Sequence, residues 1–116
     1  MSAQTVLYGI PNCDTVKKAR RWLDAHGIDY RFHDLRKDGL EAAQVKRWLA
    51  ALGDGKLINR RSTSWRQLPE AQRENLDAQT AVQLILAQPT LIKRPLLEHA
   101  DEFHVGFSPQ DYAQLF

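Results

Sequence analysis

The first 35 residues of the chain change their hydrophobic period twice, and this constrains the fold more than any other sequence feature. Residues 5–8 form a short β-branched and apolar run that ends at Gly9, which predicts a buried strand. Residues 14–26 place apolar side chains at helical spacing, and Gly27 ends that helix. Residues 28–35 alternate imperfectly and predict a second strand. A strand, a crossover helix and a strand make a βαβ unit with two parallel strands.

The rest of the chain is helical in the middle and returns to strands near its end. The patterns predict, in chain order, a helix over residues 41–52, a mixed segment over 56–78, a short helix over 80–87, a hairpin with strands at 96–98 and 103–105, and a last helix at about 109–115. This order predicts the α/β class, as a thioredoxin-like (glutaredoxin-type) fold with a small mixed sheet and a helical insertion. We expect one domain over residues 1–116, with core elements in about 1–38 and 88–116 and the insertion in about 39–87.

Size and charge exclude several functional classes. A chain of 116 residues has room for one hydrophobic core, and 16 Lys and Arg against 14 Asp and Glu leave a net charge of only +2. This balance gives no reason to expect a nucleic-acid partner. Residues 1–4 do not begin a basic and apolar leader, and no run approaches the 18 apolar residues of a membrane span. We therefore expect a cytoplasmic protein with no membrane partner.

The chain has a single cysteine, Cys13, which excludes an internal disulfide, a Cys-rich zinc site and a Cys-x-x-Cys redox pair. Cys13 lies in the predicted loop between the first strand and the first helix. The unpaired N–H groups and the dipole of that helix favour the thiolate, and loops after strands bind ligands in open α/β sheets. A phosphatase-type loop is disfavoured because Ala19, not arginine, stands six residues after the cysteine. The position predicts a reactive thiol rather than an inert buried one.

Two basic segments are further candidates for anion binding. Lys93 and Arg94 precede Pro95, and Arg60 and Arg61 precede three hydroxyl residues. Guanidinium groups bind oxyanions through two parallel hydrogen bonds. Taken alone, each segment favours the simpler interpretation of a solvated loop. The four histidines show no spacing typical of metal ligands, so we expect no metal and no resident cofactor.

Three motifs in order resemble those of a known family. Residues 7–15 read LYGIPNCDT, residues 61–65 read RSTSW and residues 91–97 read LIKRPLL. Together they resemble the ArsC-like family of glutaredoxin-coupled arsenate reductases, and most closely its YffB branch, with the Spx regulators as relatives. The resemblance covers nearly the whole chain and implies the same thioredoxin-like fold with a helical insertion.

The resemblance also implies roles for individual residues. It makes Cys13 the nucleophile, Arg94 the arginine beside the active site and Pro95 a cis-proline that faces the cysteine. Arg61 matches the middle arginine of the YffB and Spx pattern, and Arg60 is the alternative. The substrate-binding positions next to the nucleophile are Asn12, Asp14 and Thr15, with backbone amides that would stabilise developing negative charge.

The chain departs from the family pattern at two positions. Arsenate reductases of the family have a third arginine near the C-terminal strand, whereas this chain has Phe107 in that region. Spx-type redox sensing uses a Cys-x-x-Cys pair, and Val16 occupies the position of its second cysteine. The first departure argues against arsenate as the natural substrate, and the second excludes an internal disulfide switch.

Three functions follow as hypotheses. The first is a thiol-dependent reductase in which the Cys13 thiolate forms a covalent adduct that an external thiol resolves, with glutathione as co-substrate and glutaredoxin as a partner. The second is an Spx-like module that binds RNA polymerase or another protein through its basic surface. The third is arsenate reduction.

Overall fold

The computed structural model of the chain describes residues 4–74 and 76–116. The described chain forms two compact units. Residues of Met1–Asp38 and Arg94–Phe116 make the first unit, and Gly39–Lys93 makes the second unit. Residues 1–3, which were compared above with a targeting leader, and residue 75 of the mixed segment lie outside the described residues.

The elements follow the predicted order. They are β1 (Val6–Gly9), α1 (Asp14–Ala25), β2 (Arg31–Asp34), α2 (Ala42–Leu52), α3 (Asp54–Leu57), α4 (Thr63–Arg66), α5 (Glu70–Glu74), α6 (Ala78–Ala87), β3 (Leu96–His99), β4 (Glu102–Val105) and α7 (Pro109–Leu115), with a 3-10 turn at Pro89–Leu91 before β3. Each predicted strand and helix is present within a few residues of its predicted bounds.

The first unit contains one four-stranded sheet with the order β2-β1-β3-β4. Strand β1 pairs with β2 in parallel, as the βαβ pattern predicts, and with β3 in antiparallel direction. Strands β3 and β4 form the predicted hairpin. The mixed sheet and its helices confirm the predicted α/β, thioredoxin-like fold class.

The core of the first unit forms where α1 and α7 cover the sheet. Leu7 and Leu97 of the central strands pack against Ala19 and Leu23 of α1 and Tyr112 of α7. These positions of α1 recur at helical spacing, which is why a 12-residue helix buries one continuous apolar face here. Burial raises the pKa of the Tyr112 phenol because the charged form would lose its hydration.

The second unit is helical and has its own buried side chains. Val45 and Trp48 of α2 and Ile85 of α6 are fully buried, and α2 packs along α6. Helix α6 begins two residues before the predicted start because Asp77 accepts a hydrogen bond from the Thr80 N–H at 2.7 Å. This hydrogen bond, together with one from the Thr80 side chain, holds the pKa of the Asp77 carboxyl below its ordinary value.

Among the residues that the structure describes, no helix is both long enough and apolar enough to cross a bilayer.

Candidate active site

The loop after β1 is fixed by a close approach between its first residues and helix α1. A Cβ atom added to Gly9 would lie 2.8 Å from a methyl group of Val16, which is fully buried in the first turn of the helix. Only glycine leaves room for this packing. The strand therefore ends directly against the helix, and residues 10–13 form a short connection whose position is set at both ends.

Cys13 is the N-cap residue of α1. Its backbone is extended, with φ −107° and ψ 124°, and its carbonyl accepts the N–H of Lys17 at 2.9 Å. The side chain makes no capping hydrogen bond and is half-exposed. The thiol therefore makes no capping contribution to the helix start, and the residue is only partly buried.

The first turn of α1 supplies the polar surroundings of the thiol. The amides of Asp14 and Thr15 precede the first intrahelical hydrogen bond, so they are free to donate to a group outside the helix. Together with the helix dipole they make this end of α1 attractive to an anion. The exposed Asp14 carboxylate, also in the first turn, acts in the opposite sense because it repels a second anion.

Three chain segments of the first unit converge at one end of the sheet. Tyr8 pairs with Leu96, the residue after Pro95, and Gly9 pairs with Asp34 at the end of β2. The loop that carries Cys13, the segment that enters β3 and the loop that leaves β2 therefore share this end. Ligands of open α/β sheets bind at such carboxyl ends of parallel strands.

The segment before β3 contains the cis-proline that the resemblance implies. The Arg94–Pro95 peptide bond is cis, and Pro95 is buried while Arg94 is half-buried. The Pro95 carbonyl accepts the Gly106 N–H at 2.9 Å, which ties this segment to the end of β4. Arg94 and Cys13 thus belong to segments that share one end of the sheet, and the role of Arg94 beside the nucleophile stays a prediction.

The region expected to carry a third arginine is apolar. The Phe107 ring meets Tyr112 edge to face at a centroid distance of 4.7 Å and packs against the core of the first unit. This side chain contributes packing and offers no charge to an oxyanion.

Arg60 and Arg61 lie in the second unit. Arg60 forms an ion pair with Asp54 at 2.7 Å, and its guanidinium lies 5.4 Å from the centre of the Trp65 ring. The exposed Arg61 side chain makes no hydrogen bond or ion pair with any described residue. The assignment of Arg61 to the active site stays a prediction, as does that of its alternative, Arg60.

Two cations that the sequence analysis did not single out lie at the end of the sheet that carries Cys13. Arg36 and Lys37 follow β2, and with Ile10, Pro11 and Asn12 they line a groove of about 370 Å³. Asp34 completes its lining. A usable signal existed in the sequence, because two adjacent cations directly follow the second strand of a parallel pair.

Two of the four histidines make structural contacts in the first unit. His26 stacks on Trp22 at 3.8 Å and bonds to its carbonyl, and His99 shares a 2.8 Å hydrogen bond with the Thr5 hydroxyl. Among residues 4–74 and 76–116, no three His, Cys, Asp or Glu side chains are grouped to hold a metal ion.

A larger groove of about 700 Å³ lies within the second unit, between α2 and α6. Leu49, Val82 and Leu86 give it an apolar lining, and Lys46 is the one charged residue among those that line it. It contains no nucleophile, so volume alone does not locate the chemistry, and the smaller groove beside the cysteine loop is the better candidate.

Comparison with known proteins identifies the family. The model of the ArsC family matches residues 8–115. The chain belongs to the ArsC family. The solved structure of a protein named YFFB is 47% identical and superposes with a TM-score of 0.92, covering 97% of this chain and 98% of that one. An arsenate reductase (ArsC) related protein from Brucella melitensis is 49% identical with a TM-score of 0.78, covering 98% of this chain and 95% of that one.

Curated ArsC-family relatives differ in the names they carry. A protein of Haemophilus influenzae described as uncharacterized is 42% identical over 110 residues, which cover 95% of this chain and 96% of that protein. The global transcriptional regulator Spx of Lactiplantibacillus plantarum is 28% identical over 108 residues, which cover 91% of this chain and 81% of the regulator. The proteins to which this chain is similar thus include both an arsenate reductase-related protein and a transcriptional regulator.

Proposed function

We propose that this ArsC-family protein is a glutathione-dependent thiol reductase with Cys13 as its nucleophile. The Cys13 thiolate attacks the glutathione sulfur of a mixed disulfide between glutathione and another thiol. A new sulfur–sulfur bond forms to Cys13, the original disulfide bond breaks, and the released thiolate of the other compound takes a proton from water. In a complete cycle with glutathione as the second thiol, the mixed disulfide is reduced by two electrons, oxidised glutathione is released, and Cys13 is regenerated in the second step.

The second step needs a thiol from outside the chain. The 116 residues contain no second cysteine that could attack the mixed disulfide. A second thiolate, from glutathione or glutaredoxin, attacks the glutathione sulfur of the adduct and releases the Cys13 thiolate. Arg94 is the charged side chain of the first unit that we expect to hold the glutathione part of the adduct.

The observation that carries this proposal is the setting of Cys13. The thiol stands at the N-terminus of a 12-residue helix, half-exposed and unused by the cap, at the sheet end where the Arg94–Pro95 segment enters β3. A cysteine that only filled space would be buried among apolar side chains, where it would be inert.

Intact mass spectrometry after exposure to oxidised glutathione tests the proposal. We expect a mass increase of one glutathione on the wild-type protein, none on Cys13→Ser, and full reversal by reduced glutathione with glutaredoxin. Cys13 in urea-unfolded protein provides the matched control for intrinsic reactivity. Adduct formation no faster in the folded than in the unfolded protein would contradict the proposal.

A second candidate is an Spx-like regulatory module, which the match to a transcriptional regulator over 91% of the chain favours. In that case the basic residues Arg60, Arg61, Lys93 and Arg94 bind RNA polymerase, and Cys13 is dispensable for binding. Binding of purified RNA polymerase that is equal for wild type and Cys13→Ser, without any glutathione adduct, would support the regulator over the reductase.

Arsenate reduction is the third candidate, since arsenate reductase-related proteins belong to the same family. The region around Phe107, where the family pattern has a third arginine, contains no guanidinium that would help to hold a dianion. We therefore expect glutaredoxin-coupled turnover of arsenate to remain at the level of Cys13→Ser, and turnover well above that level would favour this candidate.

A further inference from the structure

The groove beside the cysteine loop is built from two segments of the first unit. Ile10, Pro11 and Asn12 come from the loop after β1, and the other wall comes from the residues after β2. Asn12 directly precedes Cys13 in the sequence, so one wall of the groove belongs to the loop that carries the thiol. Its volume of about 370 Å³ is that of a site for a small molecule or a short peptide segment.

In the second wall, formed by the residues after β2, main-chain N–H groups donate hydrogen bonds to the two carboxylates that would otherwise pair with Arg36 and Lys37. Asp34 accepts the N–H of Arg36 at 2.9 Å and the N–H of Lys37 at 3.0 Å. Asp38 in turn accepts the N–H of Asp34 at 2.9 Å. Both acidic groups of this loop are thereby held against main-chain amides.

The cations themselves have no such engagement. The side chains of Arg36 and Lys37 are exposed and make no hydrogen bond or ion pair with the part of the chain that the structure describes. A guanidinium and an ammonium group together present up to eight N–H donors, and a carboxylate is the complementary acceptor. The apolar surfaces of Ile10 and Pro11 suit the methylene groups that separate a carboxylate from a sulfur atom.

We propose that this groove binds a carboxylate of the disulfide that reacts with Cys13, through Arg36 and Lys37. The inference rests on the proposed function of Cys13 and adds its substrate class, which is small acidic disulfides. The reaction is the exchange already described, in which one disulfide bond forms as another breaks. Arg36 and Lys37 hold the substrate end that carries no sulfur and take no part in the transfer.

Three small disulfides that differ in charge provide the test. The probes are dithiodipropionate, which is acidic, 2-hydroxyethyl disulfide, which is neutral, and cystamine, which is basic. The second-order rate constant of adduct formation at Cys13 is measured by intact mass and divided by that of free N-acetylcysteinamide, an uncharged thiol, with the same probe. This division removes differences in the intrinsic reactivity of the probes.

For Arg36→Ala/Lys37→Ala we expect a rate about tenfold lower with dithiodipropionate, a rate within about twofold of wild type with the neutral probe, and no decrease with cystamine. The matched control is Arg21→Ala/Arg31→Ala, which removes two exposed cations from α1 and from the opposite end of β2. We expect this control to stay within about twofold of wild type with all three probes. Added salt should reduce the preference of wild type for the acidic probe.

The outcomes separate this inference from the function on which it rests. If wild-type Cys13 forms no adduct with any probe, the reductase proposal fails and the subsite fails with it. If wild type reacts with all three probes but shows no preference for the acidic one, the reductase stands and the subsite is wrong. Equal losses in the two double variants, or an equal loss with the neutral probe, would also overturn the subsite.

Discussion

Two loops of this protein carry adjacent cations beside an aspartate, and they use that aspartate differently. In the first unit, Asp34 bonds to main-chain amides and leaves Arg36 and Lys37 without partners among the described residues. In the second unit, Asp54 bonds to the guanidinium of Arg60, and of the adjacent cations Arg60 and Arg61 only the Arg61 side chain has no hydrogen bond or ion pair among the described residues. The availability of a cation for a ligand therefore depends on where the nearest carboxylate makes its hydrogen bonds, and not on how many charges the loop contains.

The two loops also differ in how tightly their surroundings are packed. The end of β1 is pressed against α1 at Gly9, whereas a Cβ at Gly55, in the second unit, would meet no atom within 4 Å. The first unit thus combines cations that have no partner among the described residues with close packing at the start of the loop that lines the groove. Close packing of a binding loop reduces the ordering entropy that is lost when a ligand binds.

The largest expected change in stability comes from adding a methyl group at Gly9, and the same change at Gly55 provides the comparison. Gly9→Ala forces a Cβ to within 2.8 Å of the buried Val16 side chain, and we expect the free energy of unfolding to fall by about 2 kcal/mol. Gly55→Ala adds a methyl group in open space within α3, and we expect a gain of about 0.5 kcal/mol. Urea denaturation of both variants measures the difference.

A double-mutant cycle assigns the Gly9 effect to the contact with Val16. In Gly9→Ala/Val16→Ala the added methyl group no longer meets a branched side chain, so the double variant should lose less stability than the two single variants together. Additive losses would show that the contact is not the cause.

The next effect concerns the aspartate of the first loop. Asp34→Ala removes the acceptor of the Arg36 and Lys37 amides, and we expect a loss of about 1 kcal/mol in urea denaturation. Asp34→Asn keeps an oxygen at the accepting position and removes the charge, so it should lose less than half as much. Equal losses in the two variants would mean that the charge, not the turn, makes the contribution.

Most elements of the first unit could be predicted from the sequence, but the hydrogen-bond partners of its loop carboxylates could not. Period changes predict the strands, and the resemblance implies the cis peptide bond at Pro95, because both depend on local patterns. Nothing in the residue order tells whether Asp34 bonds to an amide or a guanidinium, since both partners lie within reach. The hairpin turn at Ala100 and Asp101 is a similar case, because both residues have positive φ without glycine, and pairing of β3 with β4 imposes it.

A smaller effect is expected in the second loop. Asp54 and Arg60 are about half-exposed, so their ion pair is weakened by solvent and salt. We expect Asp54→Asn to lower the free energy of unfolding by about 0.3 kcal/mol at low salt and by less in 0.5 M NaCl. Urea titrations at the two salt concentrations check this, with Asp24→Asn in α1 as the exposed control. A loss above 1 kcal/mol would show that this pair organises its loop, as Asp34 does.

The smallest expected effect is at Asp77, and it tests whether the hydrogen-bond partner of an aspartate or the unit in which it lies determines its contribution to stability. Asp77 belongs to the second unit, as Asp54 does. Just as the Asp34 carboxylate accepts main-chain N–H groups in the first unit, the Asp77 carboxylate accepts the main-chain N–H of Thr80. Those bonds hold its pKa below the ordinary value of 3.8, so its carboxylate stabilises the folded state above that pH and loses this contribution as the pH falls through the lowered value. Asp77→Asn retains a capping oxygen without the titration, and we expect nearly wild-type stability at pH 7. In urea denaturation from pH 7 to pH 3, wild type should lose more stability than Asp77→Asn, chiefly below about pH 4. If the free energy of unfolding of wild type and of Asp77→Asn changed in parallel with pH, the bond to the Thr80 amide would give the charged carboxylate no advantage. The difference between Asp34 and Asp54 would then depend on the units in which they lie rather than on their hydrogen bonds.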